Sequence, residues 1–166
     1  MPVIQLEPVV PTDRAGSLIV AEILRGAPNA HSIAEHLQAV VKGQLAMYDR
    51  TKAVTPWIGY LARDEQTRQL LGSCSFIGTP EAGSVEIAYF TFPPYEGRGV
   101  ATAMAEKLVA IALSAGNPDL HAFTLPHENP STSVLGKLGF RVAGEAEDED
   151  AGVVWRWERR SQIGCR

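Results

Sequence analysis

At Glu96-Gly97-Arg98-Gly99-Val100-Ala101-Thr102 the chain changes its structural period. Residues 85–92, just before it, are rich in β-formers and read as a strand. After Gly99 a long amphipathic stretch runs through Ala115 and stops at Gly116, which reads as a helix with its C-terminal glycine. Two glycines between a strand and a helix expose successive main-chain N–H groups where the helix dipole is positive. Such a cradle takes a nucleotide phosphate without any basic side chain, and Arg98 would add a charge-assisted contact. Taken alone, the pair also suits a plain turn into a helix. It is not a Walker loop, because no Lys-Ser or Lys-Thr follows Gly99. It is a poor dinucleotide fingerprint too, since the third glycine is missing and the strand comes late in an antiparallel run.

The rest of the chain supplies a sheet around this unit. Residues 3–9 alternate as a first strand that Pro11 ends, and Thr12 and Asp13 offer N-capping oxygens to a helix that closes at Gly26. A second helix begins near Ser32, with Ile33, Leu37, Val40, Val41 and Leu45 forming one apolar stripe. From Thr55 the period falls to two: Trp57, Gly59 and Leu61 alternate with Ile58, Tyr60 and Ala62. A turn at 63–68, a strand at 70–77, a turn at 78–83 and the strand at 85–92 complete an antiparallel meander. Beyond the long helix come a strand at 120–125, a short helix at 130–138 and a hairpin of 140–144 with 153–158. Its acidic run, Glu145, Glu147, Asp148, Glu149 and Asp150, reads as a solvated loop, with a rim that attracts a cationic acceptor as the sharper alternative. The order predicts a mixed α/β fold, a largely antiparallel central sheet flanked by helices, as a single domain over residues 1–166.

Several classes fall away on composition. An apolar share of 45% in 166 residues is enough for one core. No segment nears the ~18 to 20 uninterrupted apolar residues of a membrane span, and the first ten residues carry no leader, so the expectation is a cytoplasmic protein with no membrane partner. A formal net charge of -4 argues against nucleic acid, and the basic residues Arg156, Arg159, Arg160 and Arg166 make too short a tail for it. Cys74 and Cys165 lack both a disulfide framework and metal-ligand spacing. His31 and His36 do not share a helix face well, so no metal site is expected.

The residues around the glycine pair, Glu86-Ile87-Ala88-Tyr89 followed by Pro93-x-Tyr95-x-Gly97-Arg98-Gly99-Val100-Ala101-Thr102, resemble motif A of the GNAT superfamily of N-acetyltransferases. A second block, Thr124-Leu125-Pro126-His127-Glu128-Asn129-Pro130-Ser131 leading to Val134-Leu135-Gly136-Lys137-Leu138-Gly139-Phe140, is similar to motif B of the branch that includes ribosomal-protein N-terminal acetyltransferases. Together the blocks span residues 57–144. The resemblance implies a GNAT fold and acetyl-coenzyme A (acetyl-CoA) as co-substrate. Main-chain groups of Phe90, Thr91 and Phe92 would hold the pantetheine arm and acetyl carbonyl, and amides from Gly97 through Arg98, Gly99, Val100 and Ala101 to Thr102 the diphosphate. Asn129 would meet the pantetheine or thioester end and Ser131 would lie near the sulfur. Homodimers are also common among such relatives. Where the family pattern has Gln or Arg this chain has Glu96, whose charge is unfavourable beside phosphate unless it faces solvent or pairs with Arg98.

An amine must be neutral to attack a thioester, so the site must accept a proton. Glu86 is the first candidate base, and its alternative is a strand carboxylate that faces solvent or pairs with a neighbouring polar group. His127 and Glu128 come next. A main-chain N–H near Thr91 or Phe92, freed by a bulge, would stabilise the charge that builds on the carbonyl oxygen. Ser131 would assist the departing thiolate, with Tyr95 and Tyr89 as weaker choices, yet Ser131 and Asn129 also suit helix caps. Cys74 reads as an inert buried thiol, His121 as a strand surface residue, and Trp155 with Trp157 as core. The reading is an N-acetyltransferase in which a protein N-terminus or small-molecule amine attacks directly in a ternary complex. Its rival is a non-catalytic acyl-CoA-binding regulatory module.

Overall fold

The alternating N-terminal segment becomes β1 (Ile4–Val9), laid antiparallel on β2 (Gly59–Asp64) in a computed structural model that describes residues 1–161. Cys165 and Arg166 lie outside the described residues. β2 pairs with β3 (Leu70–Glu81), and β3 with β4 (Ser84–Thr91), which is the meander read from the sequence. β5 (Asp119–Thr124), β6 (Arg141–Asp148) and β7 (Gly152–Arg159) complete a seven-stranded sheet in the order β1-β2-β3-β4-β5-β7-β6. Every pair is antiparallel except β4 with β5, whose parallel register requires a crossover. That crossover contains the long helix after the glycine pair, α3 (Val100–Ser114).

The helices are α1 (Gly16–Arg25), α2 (Ala30–Thr51), α3 (Val100–Ser114) and α4 (Pro130–Lys137). In β4 the even-numbered residues face α2, where the His36 ring stacks at 6.1 Å on Phe92 and lies 5.9 Å from Phe90. Thr91 shares the opposite face with its partner Gly72, and Met104 of α3 packs there against Gly72. The buried side chains of both layers form one cluster, in which Phe76, Phe92, Ile58 and Leu108 are completely enclosed. Each such side chain contributes about 1.5–3 kcal/mol.

Polar anchors fix the layers. Tyr48 of α2 donates its hydroxyl proton to the Val9 carbonyl at 2.6 Å and accepts the Gly59 N–H at 2.7 Å, tying one helix to two strands. Buried Arg63 pairs with Glu7 and donates to the carbonyls of Gly26 and Arg68.

Several elements depart from expectation for identifiable reasons. Thr12 and Asp13 do not cap α1, which starts after Ala15; the Thr12 hydroxyl instead accepts the Arg14 N–H, closing its own local turn. Helix α2 passes Leu45 and ends at Lys52 in the left-handed region, because Met47 and Tyr48 prolong the buried stripe. The expected turn at 78–83 shrinks to Ala82 and Gly83, both at positive φ, after an irregular register between Ile77 and Glu81. Glu145, Glu147 and Asp148 are not loop residues but belong to β6, exposed along nearly its whole length. An edge strand carries such charges readily, and they discourage pairing with another chain. No helix among the described residues is long and apolar enough to cross a membrane.

Candidate active site

The site is a gap between two strands. β4 and β5 pair only at Ser84 with Asp119, Val85 with Leu120 and Glu86 with His121, after which they part. The Asp119 N–H donates to the Gly83 carbonyl, so odd-numbered residues of β4 turn their main-chain groups towards β5. Beyond the last pair, Tyr89 and Thr91 therefore direct N–H and C=O into the opening. Phe90 and Phe92 direct theirs to β3, and the Phe92 N–H is donated to the Leu71 carbonyl at 2.9 Å. Of the three expected main-chain contacts, Thr91 opens on the gap and the other two do not. Tyr89 joins it, a residue the sequence reading gave a different part. No bulge lies at Thr91 or Phe92: the register with β3 is regular from Gly72 to Ile77.

At the mouth of this gap stands the glycine turn. Gly97 and Gly99 lie at φ +74° and +82°, and nothing surrounds the place where a Gly97 Cβ would be. The exposed Met1 side chain approaches Gly99. Gly99 is the N-cap of α3, so no side chain closes onto the amides of Val100, Ala101 and Thr102, which the helix itself cannot satisfy. Helix α4 makes the contrast clear. There Asn129 accepts the Thr132 N–H at 3.1 Å while Thr132 accepts the Asn129 N–H at 3.0 Å, a reciprocal cap that fills the N-terminus.

The turn between β4 and α3 is held from behind. A short 3₁₀ turn, Pro93–Tyr95, buries Tyr95, whose hydroxyl accepts from Asn29 Nδ2 at 2.7 Å. Asn29 also donates to the Leu70 carbonyl and accepts the Leu70 N–H. Sequence reasoning missed Asn29, because an Asn before a helix looks like a cap; here its side chain makes no cap. Arg98 places its guanidinium 5.6 Å from the Tyr95 ring centre. Glu96 is exposed, and no ion pair among the described residues includes it, so it takes the solvent-facing alternative.

Glu86 lies where the strands begin to part, on the α2 face, half-buried. Desolvation raises its pKa; Arg156 opposes this and Asp148 adds to it. Opposite it, His121 shares a hydrogen bond with the Ser84 hydroxyl at 2.8 Å, and burial together with Arg156 lowers its pKa. His127 and Glu128 are exposed on the loop before α4. Ser131, in the first turn of α4, is half-buried, and its carbonyl receives the Tyr89 hydroxyl at 3.4 Å. The cap of that helix is Asn129, not Ser131. Asn129 has little left to offer a ligand, since its amide nitrogen donates to the His127 carbonyl. Cys74 is buried, which pushes its thiol up and keeps it protonated. Trp157 is core, its indole N–H donated to Thr124, while Trp155 packs against the core's edge.

Known structures share this fold. A ribosomal-protein S5-alanine acetyltransferase from Vibrio fischeri is 14% identical, with a TM-score of 0.66 over 98% of this chain and 96% of its own. A ribosomal L7/L12 alpha-N-protein acetyltransferase in complex with coenzyme A gives 14% identity and a TM-score of 0.66 over 97% and 96%. A GNAT-family acetyltransferase from Bacillus anthracis gives 13% identity and a TM-score of 0.62 over 95% and 97%. At such identities the likeness is one of fold. The family model of the acetyltransferase (GNAT) domain matches residues 4–141, from the first strand to the start of the last hairpin. The chain therefore belongs to the GNAT acetyltransferases, enzymes that take their acetyl group from acetyl-CoA.

Proposed function

We propose that this acetyltransferase acts on a primary amine, that of a protein N-terminus or of a small molecule, by direct attack while both substrates are bound. The observation that carries this reading is the uncapped N-terminus of α3 beside the opening between β4 and β5. Free amides at a helix N-terminus suit a diphosphate, and unpaired strand groups suit an amide-bearing arm. In this reading Gly97 to Thr102 hold the diphosphate, and Tyr89 and Thr91 pair with the pantetheine as a further strand would. Arg98 screens the phosphates. When bound, acetyl-CoA supplies an acyl carbon activated as a thioester.

The remaining steps fall to side chains. Glu86 accepts the proton from the incoming ammonium and leaves a nitrogen lone pair free to attack. Its raised pKa makes it a better base than an exposed carboxylate, at the cost of ionising later as pH rises. After attack the nitrogen sheds its second proton to the departing sulfur, which leaves as the thiol, and Ser131 donates a hydrogen bond to that sulfur as charge builds on it. The N-terminal acetyltransferases of similar fold named above support an α-amine as acceptor.

Thiol release from acetyl-CoA with a panel of amines tests the whole reading. Turnover with at least one amine, lost in Glu86→Gln while calorimetric binding of coenzyme A persists, is the expected result. Binding without turnover for every amine would turn the reading to the regulatory module.

A further inference from the structure

Helix α2 lies over β3 and β4 with an open groove of about 320 Å³ between them, walled by Gly43, Gln44 and Arg50 and floored in part by Ile77 and Phe90. Two contacts give its direction. Near the start of α2 the His36 ring lies beside Phe90, and near its end the Thr51 methyl stands 3.8 Å from where a Gly78 Cβ would be. Ile77, next to Gly78, pairs with Glu86 and so shares its face of the sheet. The Arg50 end of the groove is therefore the Glu86 end.

The polar groups that a ligand reaches from this groove are donors. Arg50 is exposed, and no ion pair among the described residues includes it. Side chains on a helix lean towards the preceding turn, which carries the Arg50 guanidinium back along the groove it lines. Gln44 is only 7% exposed, and its Oε1 is enclosed without a partner among the described residues, which leaves Nε2 as the atom of that amide a ligand meets. No carboxylate lines the groove among the described residues. An ammonium group lodged here is repelled by Arg50, whereas a carboxylate finds a guanidinium with nothing else to pair with.

We infer that this groove receives the substituent of the acceptor amine, and that Arg50 makes it select a substituent ending in a carboxylate. The preferred acceptor is then an amine with an acidic side chain, its ammonium at Glu86 and its anionic end at Arg50. The inference rests on the acetyl-transfer reading and adds the acceptor's chemistry to it.

Amino-acid amides of matched shape test it, each with a free α-amine: glutamate α-amide against glutamine amide, with lysine amide as the cationic member. In the unaltered enzyme kcat/KM for glutamate α-amide is expected to exceed that for glutamine amide by about tenfold, the worth of a charged hydrogen bond reduced by its exposure. Raising the salt from about 0.05 M to about 0.5 M lowers the ratio, because an exposed pair is screened. In Arg50→Gln the ratio falls to about one, and Arg50→Lys keeps part of it as a point charge without the fork. Gly43→Leu, which fills the groove from the helix side, raises KM for both amides alike. Thermal melts confirm that the variants are folded. Equal kcat/KM for the two amides, a preference for lysine amide, or a ratio that survives Arg50→Gln overturns the assignment while acetyl transfer stands. Absence of thiol release with every amine removes acetyl transfer and this inference together.

Discussion

Glu86 and His121 face each other across the last rung that β4 and β5 share; one residue further along, the two strands have separated. A carboxylate at that point is half-buried and borders the gap. Burial raises its pKa, so the acidic limb of a kcat/KM profile is expected to lie above the range of an exposed glutamate. Glu86→Gln should remove that limb and lower kcat by about 10²–10⁴, the usual share of a general base. Pre-steady-state and steady-state rates across pH check both statements.

The same carboxylate bears on stability. Because its folded pKa is raised, Glu86 stabilises the fold at pH values below the ordinary carboxylate range, and this contribution is lost as pH rises through the folded value. At neutral pH the charged form is the less comfortable one. Glu86→Gln is therefore expected to melt slightly above the parent at pH 7 and to lose that advantage near pH 4, as scanning calorimetry at the two pH values would read.

Gly99 holds φ +82° at the start of α3. Alanine there is strained by about 1–2 kcal/mol and crowds the amides that the diphosphate would meet. Gly99→Ala should lower the melting temperature by several degrees and raise KM for acetyl-CoA more than it changes kcat. An unchanged KM would move the phosphate site elsewhere.

Asn129 spends its side chain on the cap of α4 and on the His127 carbonyl. Asn129→Ala should cost about 1 kcal/mol of stability, and Asn129→Asp should recover most of it by keeping the cap oxygen. Urea denaturation of the pair separates this from a direct ligand contact, for which aspartate beside an anionic coenzyme would be no rescue.

Gly43 stands inside α2 with open space where a Cβ would be. Gly43→Ala should stabilise the fold by up to about 1 kcal/mol, through helix propensity alone. Gly59→Ala is the opposite case, since its methyl would strike the Gln44 amide. Melting curves of the two variants should shift in opposite directions.

The apolar stripe of α2 and the strand-to-helix glycine pair were legible because each repeats a local pattern. What stayed hidden depends on register between distant segments. Whether Thr91 or Phe92 turns its N–H into the gap is decided by the bond from Phe92 to Leu71, twenty-one residues away in the chain. The acids at 145, 147 and 148 looked like a loop because charge alone does not distinguish a turn from an edge strand. Gln44 offered a signal that went unread: it follows Leu37 and Val41 and precedes Met47 and Tyr48 at helical steps, so the stripe itself placed an amide in the interior. Asn29 offered none, since its partners Leu70 and Tyr95 lie far along the sequence.

The separation of β4 from β5 is made by strand order and backbone course, not by any one side chain. A slot of that kind is inherited with the topology, and mutation can replace most of the residues around it without closing it. Chains that share about one residue in seven with this one still superpose over nearly their whole length. A chain of this architecture can thus exchange side chains along α2 and the neighbouring strands while the opening between β4 and β5 remains.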